Sequence, residues 1–218
     1  MTDTPLLIIF ARALQAGQVK TRLIPNFGAE GAMQIYKQLL WRTFSAAQEF
    51  PGDVQLWLDK PDAALKAEAT VRGWSCHLQS DGDLGERMAR ALSHGLDHFS
   101  RVLLIGSDCL LLGRPYFEQA LHTLAHAPVV FGASEDGGYV LLGSSQASLW
   151  SAARFNGVRF GGHHALQDSC ACFAPEQIVV LPPLWDVDEA SDVARARSSG
   201  LLPPVACPEL VGARKGWT

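Results

Sequence analysis

Several short segments of the chain set charged side chains beside small ones in patterns that suit phosphate and metal chemistry. The first is Arg12, followed by Gly17-Gln18-Val19-Lys20-Thr21-Arg22-Leu23. A glycine lets backbone come close to a bound group. Lys20 supplies a point charge, and Arg22 a planar fork that holds phosphate oxygens in pairs. The plainer account of this segment is a solvated basic loop. It is not a P-loop, and no Gly-x-Gly-x-x-Gly dinucleotide fingerprint occurs.

The apolar run Val102–Ile105 ends in Gly106-Ser107-Asp108. A hard carboxylate oxygen at that place suits Mg²⁺ or Mn²⁺ held against a pyrophosphate, where such an ion keeps one or two protein carboxylates. The plainer account is a cap on the next helix or turn. Glu135-Asp136-Gly137-Gly138-Tyr139 places carboxylates beside two glycines, which also describes a hairpin turn. In Trp185-Asp186-Val187-Asp188-Glu189, Asp186 and Asp188 are expected to face opposite ways, one toward a metal and the other capping a helix that begins near Ser191. Asp81-Gly82-Asp83-Leu84-Gly85-Glu86-Arg87-Met88 opens a helix whose N-terminus can admit a flat base or a phosphate. Acidic residues there are also ordinary complements to the helix dipole.

These segments need a scaffold, and the hydropathy pattern supplies one. Strands are expected at Leu6–Ala11, Val54–Asp59, Trp74–Leu78, Val102–Ile105, Val129–Phe131, Tyr139–Leu142 and Ile178–Leu181. Helices are expected at about Ala29–Gln48, Asp62–Arg72, Gly85–His98, Pro115–Ala125 and Ser191–Ser198. Met33, Tyr36 and Phe44 read as core, and His163-His164 as a surface loop or helix start. Alternating strands and helices imply an α/β fold, a mostly parallel sheet covered on both faces in three layers. Such a sheet binds ligands beyond the carboxyl ends of its strands, where the charged segments cluster.

The chain has 218 residues, 48% of them hydrophobic and 18% charged, which is enough for one globular domain with a full core. We place that domain at 1–202 and a tail without clear period at 203–218, whose apolar end near Trp217 suits a subunit contact. A net charge of −4 argues against a nucleic-acid surface. Leu6–Ala11 is too short to span a bilayer and lacks the flanks of a signal peptide, so a cytoplasmic protein is expected. The five cysteines, an odd number, are expected to be reduced thiols.

Taken together and in this order, the segments resemble the GT-A-like glycosyltransferases described as radical-SAM/selenodomain-associated transferases, relatives of the small nucleotidyltransferases. The resemblance runs from about Leu6 to Ser198. It rests on Phe10-Ala11-Arg12 with Gly17-x-Val19-Lys20-Thr21-Arg22-Leu23, on Gly82-Asp83-Leu84-Gly85-x-Arg87-Met88, on Gly106-Ser107-Asp108-Cys109, on Glu135 to Tyr139, and on Asp186-Val187-Asp188. It implies a Rossmann-like nucleotide-diphospho-sugar transferase fold. Arg12, Gly17, Lys20 and Arg22 would then hold nucleotide phosphates, with Leu84 and Gly85 near the base. Asp108 would be the principal ligand of Mg²⁺ or Mn²⁺ and Asp188 the second, while Asp136, Gly137 and Gly138 would line the pocket for sugar or acceptor. Lys20 and Asp136 would join Asp108 in catalysis.

The chain departs from the family pattern at Leu14, Ala16 and Leu110, where prolines are usual, and at Arg159-Phe160-Gly161-Gly162, where tryptophan and small residues are typical. The implied activity is a glycosyltransferase using a nucleotide-sugar donor and a small-molecule acceptor of unknown identity. A nucleotidyltransferase that joins a nucleoside triphosphate to a phosphorylated small molecule is the alternative. A non-catalytic nucleotide-binding module is the second. The single glycine before Lys20-Thr21-Arg22 favours the sugar transferase.

Overall fold

A computed structural model describes residues 3–203. Seven strands form one sheet: β1 (Leu6–Ala11), β2 (Asp53–Leu58), β3 (Ser75–Leu78), β4 (Val102–Ile105), β5 (Val129–Ser134), β6 (Tyr139–Ser144) and β7 (Ile178–Leu184). Their order is β3-β2-β1-β4-β6-β5-β7, with β6 antiparallel to both neighbours and the other pairs parallel. Every residue of β1 and β4 is buried, which explains why those runs carry no polar alternation.

The helices are α1 (Ile24–Ala47), α2 (Ala63–Val71), α3 (Leu84–Leu96), α4 (Arg114–Thr123), α5 (Ala165–Cys170) and α6 (Ala190–Ser198). One apolar cluster joins α1 and α4 to one set of strand side chains, including Leu7, Ile9, Leu40, Phe44, Leu103 and Phe117. A second joins α3 to the alternate set, including Leu6, Ile8, Met88, Leu92 and Leu104. Residues of β1 thus alternate between the clusters, as the period of a strand requires.

The three-layer expectation holds, with boundaries corrected. Helix α1 begins at Ile24 rather than near Ala29, across a kink at Gly28 (φ 70°, ψ 169°). Strands β5, β6 and β7 run further than the apolar runs suggested. β7 carries Pro182 and Pro183, which an edge strand tolerates because nothing on its outer side needs their missing N–H. No helix among the described residues is long and apolar enough to cross a membrane. The tail beyond Pro203, with Cys207 and Trp217, lies outside the described residues.

After β1 the chain moves outward through β2 and β3, then returns to place β4 on the other side of β1. This reversal opens a crevice at the carboxyl ends of β1 and β4. The amino end of antiparallel β6 and the segment after β7 reach the same edge, so the charged segments meet there.

Candidate functional site

The loop after β1 is held by side chains from other elements. The Arg12 amide donates to the Tyr36 hydroxyl (2.8 Å), which donates back to the Arg12 carbonyl (3.2 Å). Ser107, at the end of β4, donates to the same hydroxyl (3.3 Å). Tyr36 therefore ties the ends of β1 and β4 together from α1. Burial pushes its phenol up to about 12, so it stays neutral. Reading Tyr36 as core was incomplete: it is buried, but its hydroxyl braces the site. The Ala13 amide donates to Asp59 (2.8 Å) and the Leu14 amide to Asp62 (2.8 Å), whose other oxygen caps α2.

The loop ends at Lys20, the one non-glycine residue with positive φ among the described residues (φ 44°, ψ 49°). A lysine costs about 1 kcal/mol or more in this left-handed region, and such strain collects at functional sites. The bend carries Nζ into the crevice, 2.9 Å from Asp108 Oδ2 and 3.4 Å from Asp188 Oδ1. The Lys20 side chain is only 8% exposed. Burial is the largest single influence and disfavours its charge, but Asp108 and Asp188 together outweigh it and leave the ammonium raised.

Arg22 pairs with Asp188 and also donates to the Gly161 carbonyl (3.2 Å). The Val187 amide donates to the Asp108 carbonyl (3.1 Å), which fastens the segment after β7 to the end of β4. Asp186 and Asp188 both line the crevice, contrary to the expectation that they face opposite ways. Residues two apart in extended chain point to the same side. Helix α6 is instead served by Asp192, which accepts from the amides of Asp188 and Glu189 (3.0 and 2.7 Å). Ser134 donates to Asp186 (2.7 Å). Burial, with Asp108 next in weight, pushes the Asp186 carboxyl up to about 6.

Two cavities share this edge. The larger, of about 560 Å³, runs between the Lys20 loop and the N-terminus of α3 and carries the cations Arg12, Lys20, Arg22 and Arg87 beside Asp59, Asp83, Asp108 and Asp188. The smaller, of about 300 Å³, carries Asp108, Asp136, Asp186 and Asp188, with Arg22 its one cation. Asp108, Asp188, Arg22, Leu84, Phe10 and Gly106 border both. Of the residues singled out in the sequence, Arg12, Lys20, Arg22 and Leu84 line the larger cavity, while Asp136 and Gly138 line the smaller.

Gly17, Gly85 and Gly137 are not among the lining residues, and each has a local task. Gly17 takes a positive φ of 78° in the loop. Gly85 is buried, and a Cβ there would come within 2.7 Å of Phe155. At Gly137 (φ +89°) a Cβ would come within 2.3 Å of the His163 carbonyl oxygen. The Asp136-Gly137-Gly138 turn does close the β5–β6 hairpin, with Gly138 N–H donating to Asp136 (2.8 Å). Asp83 caps helix α3, its carboxylate accepting from the Glu86 amide (2.9 Å) while the Glu86 carboxylate accepts from the Asp83 amide (3.2 Å).

The sequence matches the family described as "Uncharacterized protein conserved in bacteria (DUF2064)" over residues 43–162. The chain belongs to DUF2064. Comparison with curated proteins gives no match. Among solved structures, the DUF2064 chain is similar to a Desulfovibrio desulfuricans G20 protein provisionally named a nucleotide-diphospho-sugar transferase. Identity is 26%, over 87% of this chain and 84% of that one, with a TM-score of 0.76. A nucleotidyl transferase from Methanothermobacter shares the fold at 12% identity and a TM-score of 0.62, over 92% and 99% of the two chains. A Mycobacterium tuberculosis H37Rv protein solved in complex with manganese shares it at 16% identity and a TM-score of 0.51, over 93% and 100%.

Among the described residues no group of three or more His, Cys, Asp or Glu side chains forms a ready metal site. Two carboxylates do converge on one cation, since Asp108 and Asp188 share the Lys20 ammonium. That donor set fits an ion such as Mg²⁺, which takes one or two protein carboxylates and completes its shell with phosphate oxygens and water.

Proposed function

We propose that this DUF2064 protein is a metal-dependent glycosyltransferase that uses a nucleotide-sugar donor. The observation that carries the reading is the division of the crevice into one compartment where four cations balance four aspartates and an acid-rich one where Arg22 alone faces four aspartates, with Asp108 and Asp188 on their shared border. A nucleoside diphosphate suits the first, where Arg12, Lys20 and Arg22 line it. The sugar then lies at the shared border, and an acceptor's hydroxyl suits the second, because carboxylates accept hydrogen bonds from hydroxyl groups. A phosphorylated acceptor, as the nucleotidyltransferase alternative requires, would face those same carboxylates.

Asp108 and Asp188 would hold Mg²⁺ or Mn²⁺, which when bound would neutralise charge on the leaving diphosphate. Lys20 would be displaced from the carboxylates toward the phosphates and add positive charge there. In the transfer, the acceptor oxygen bonds to the anomeric carbon, and the bond from that carbon to the phosphate oxygen breaks. The nucleoside diphosphate leaves with the bonding pair, and the hydroxyl proton passes to water or a lining carboxylate. The likeness to the Desulfovibrio protein supports the donor class, and the resemblance of five segments to radical-SAM/selenodomain-associated transferases supports it further.

The test incubates purified protein with UDP-, GDP-, CDP- and ADP-sugars and Mn²⁺. Release of the nucleoside diphosphate, abolished in Asp108→Ala, is the expected result. Pyrophosphate release from a nucleoside triphosphate, without cleavage of any nucleotide-sugar, would instead establish the nucleotidyltransferase.

A further inference from the structure

The acid-rich compartment has a second character that its carboxylates do not explain. Met88, Leu104, Val140 and Leu142 line it and are all buried, so its floor is apolar. Phe160 and Leu84 stand nearer its opening, and Leu84 is 46% exposed. The chain beside Phe160 is Gly161-Gly162, and a Cβ at either position would meet nothing within 4 Å. Space on that side is therefore open. Arg159 anchors the segment through a two-point ion pair with Asp168 (2.7 and 2.9 Å), and Arg22 holds the Gly161 carbonyl.

A polyhydroxyl acceptor would leave the apolar floor poorly used, since burying such surface against a ligand is favourable only for an apolar partner. A phosphate or carboxylate on the ligand would meet Asp136 and Asp186, while Arg22, the one cation lining the compartment, would serve the donor's phosphates. We infer that the acceptor taken by this compartment is a neutral alcohol with an apolar, preferably flat, body that lies between the Met88–Leu104–Leu142 floor and Phe160. Its hydroxyl points toward the carboxylates at the border. The inference rests on the glycosyltransferase reading and names the acceptor class for that same site. The bond changes are those of the transfer above, with the acceptor's alcohol oxygen as nucleophile.

The experiment first finds a cleavable nucleotide-sugar in the donor-only assay, then offers three acceptors to the wild-type protein with Mn²⁺. These are 2-phenylethanol, glycerol, and 4-(2-hydroxyethyl)phenyl phosphate, which carries the same alcohol with a dianion opposite. Product is read by mass. The phenyl alcohol should be glycosylated about tenfold faster than glycerol, as hydrophobic pocket contacts allow. It should exceed its phosphorylated analogue by on the order of a hundredfold, because a dianion is repelled in a partly buried cavity lined by four aspartates and one arginine. Phe160→Leu should shrink the first ratio. Asp136→Asn, which keeps the acceptor of the Gly138 amide, should shrink the second.

Glycerol or the phosphorylated compound reacting as well as phenylethanol would overturn the inference and leave the transferase reading standing. Donor cleavage with no transfer to any of the three would also overturn it. Absence of donor cleavage would show up in the first assay and would remove the transferase reading itself, and the inference with it.

Discussion

Replacing Lys20 with methionine tests whether this ammonium holds the place of a divalent cation. Methionine is unbranched, one atom shorter, and keeps the Cβ, so the left-handed backbone strain at position 20 is carried over while the ammonium is lost. Removing one partner of a fully buried ion pair costs about 3–5 kcal/mol, whereas a surface pair is worth at most about 1 kcal/mol. The Lys20 side chain is 8% exposed, but Asp108 and Asp188 are 34% and 35% exposed and keep some water. Lys20→Met should therefore fall between, at about 2 kcal/mol without metal. For a chain of 218 residues that lowers the melting temperature by roughly 4–8 °C.

Mn²⁺ should then restore more than was lost. With the ammonium gone, an ion at a hundred times its dissociation constant adds about 2.7 kcal/mol, or roughly 5–11 °C. The wild type should gain less from Mn²⁺ alone, because the ion must first displace Lys20. With a nucleotide-sugar added, the order reverses, since only the wild type has Lys20 to meet the phosphates. Differential scanning fluorimetry of both proteins, with and without Mn²⁺ and donor, measures all these shifts. Equal melting temperatures without metal, and equal Mn²⁺ shifts, would refute the reasoning.

Tyr36→Phe removes the hydroxyl that bonds Arg12 and Ser107; it should cost about 1–2 kcal/mol in urea unfolding and weaken nucleotide binding. Gly137→Ala forces a Cβ against the His163 carbonyl at positive φ, so it should destabilise by about 2 kcal/mol, with hydrogen exchange rising first around 159–166. The Arg159 pair holds the Asp168 carboxyl down to about 2. This carboxyl is depressed below its unfolded value, so its contribution to stability is present above about pH 4 and lost as pH falls toward 2. An NMR titration showing its inflection near 4 would contradict the pair. Burial pushes the Cys109 thiol up to about 12, so at pH 8 it should resist alkylation until the chain unfolds, as mass mapping would show.

The sheet's centre was legible because its strands are buried on both faces: Leu6–Ala11 and Val102–Ile105 match their apolar runs residue for residue. The ends of β5 and β7 were not. Gly132, Ala133 and Ser134 have weak strand preference, and their place is set by pairing with β6 and β7. Helix α5, six residues long, is too short for a period to show. Tyr36 sits in an apolar helix stripe, and its hydroxyl's partners are 24 and 71 positions away. Lys20 looked like a phosphate ligand in a loop. Its carboxylate partners lie 88 and 168 residues further along, a convergence that only the strand order creates.

In this fold the charged segments serve structure and site at once. Asp136 closes a hairpin turn and also lines a cavity. Asp108 receives an amide from the segment after β7 on its carbonyl and an ammonium on its carboxylate. Asp62 caps α2 with one oxygen and fixes the Lys20 loop with the other. Backbone needs at strand ends can be met by short polar side chains, and those ends are where a parallel sheet opens to ligands. The excess of acid over base in the smaller cavity goes beyond such needs. Four aspartates line it with a single arginine, and burial already drives one of them toward neutrality. Folding alone gives no reason to assemble carboxylates that repel one another. A bound cation, and hydroxyl groups that donate to those oxygens, would give one.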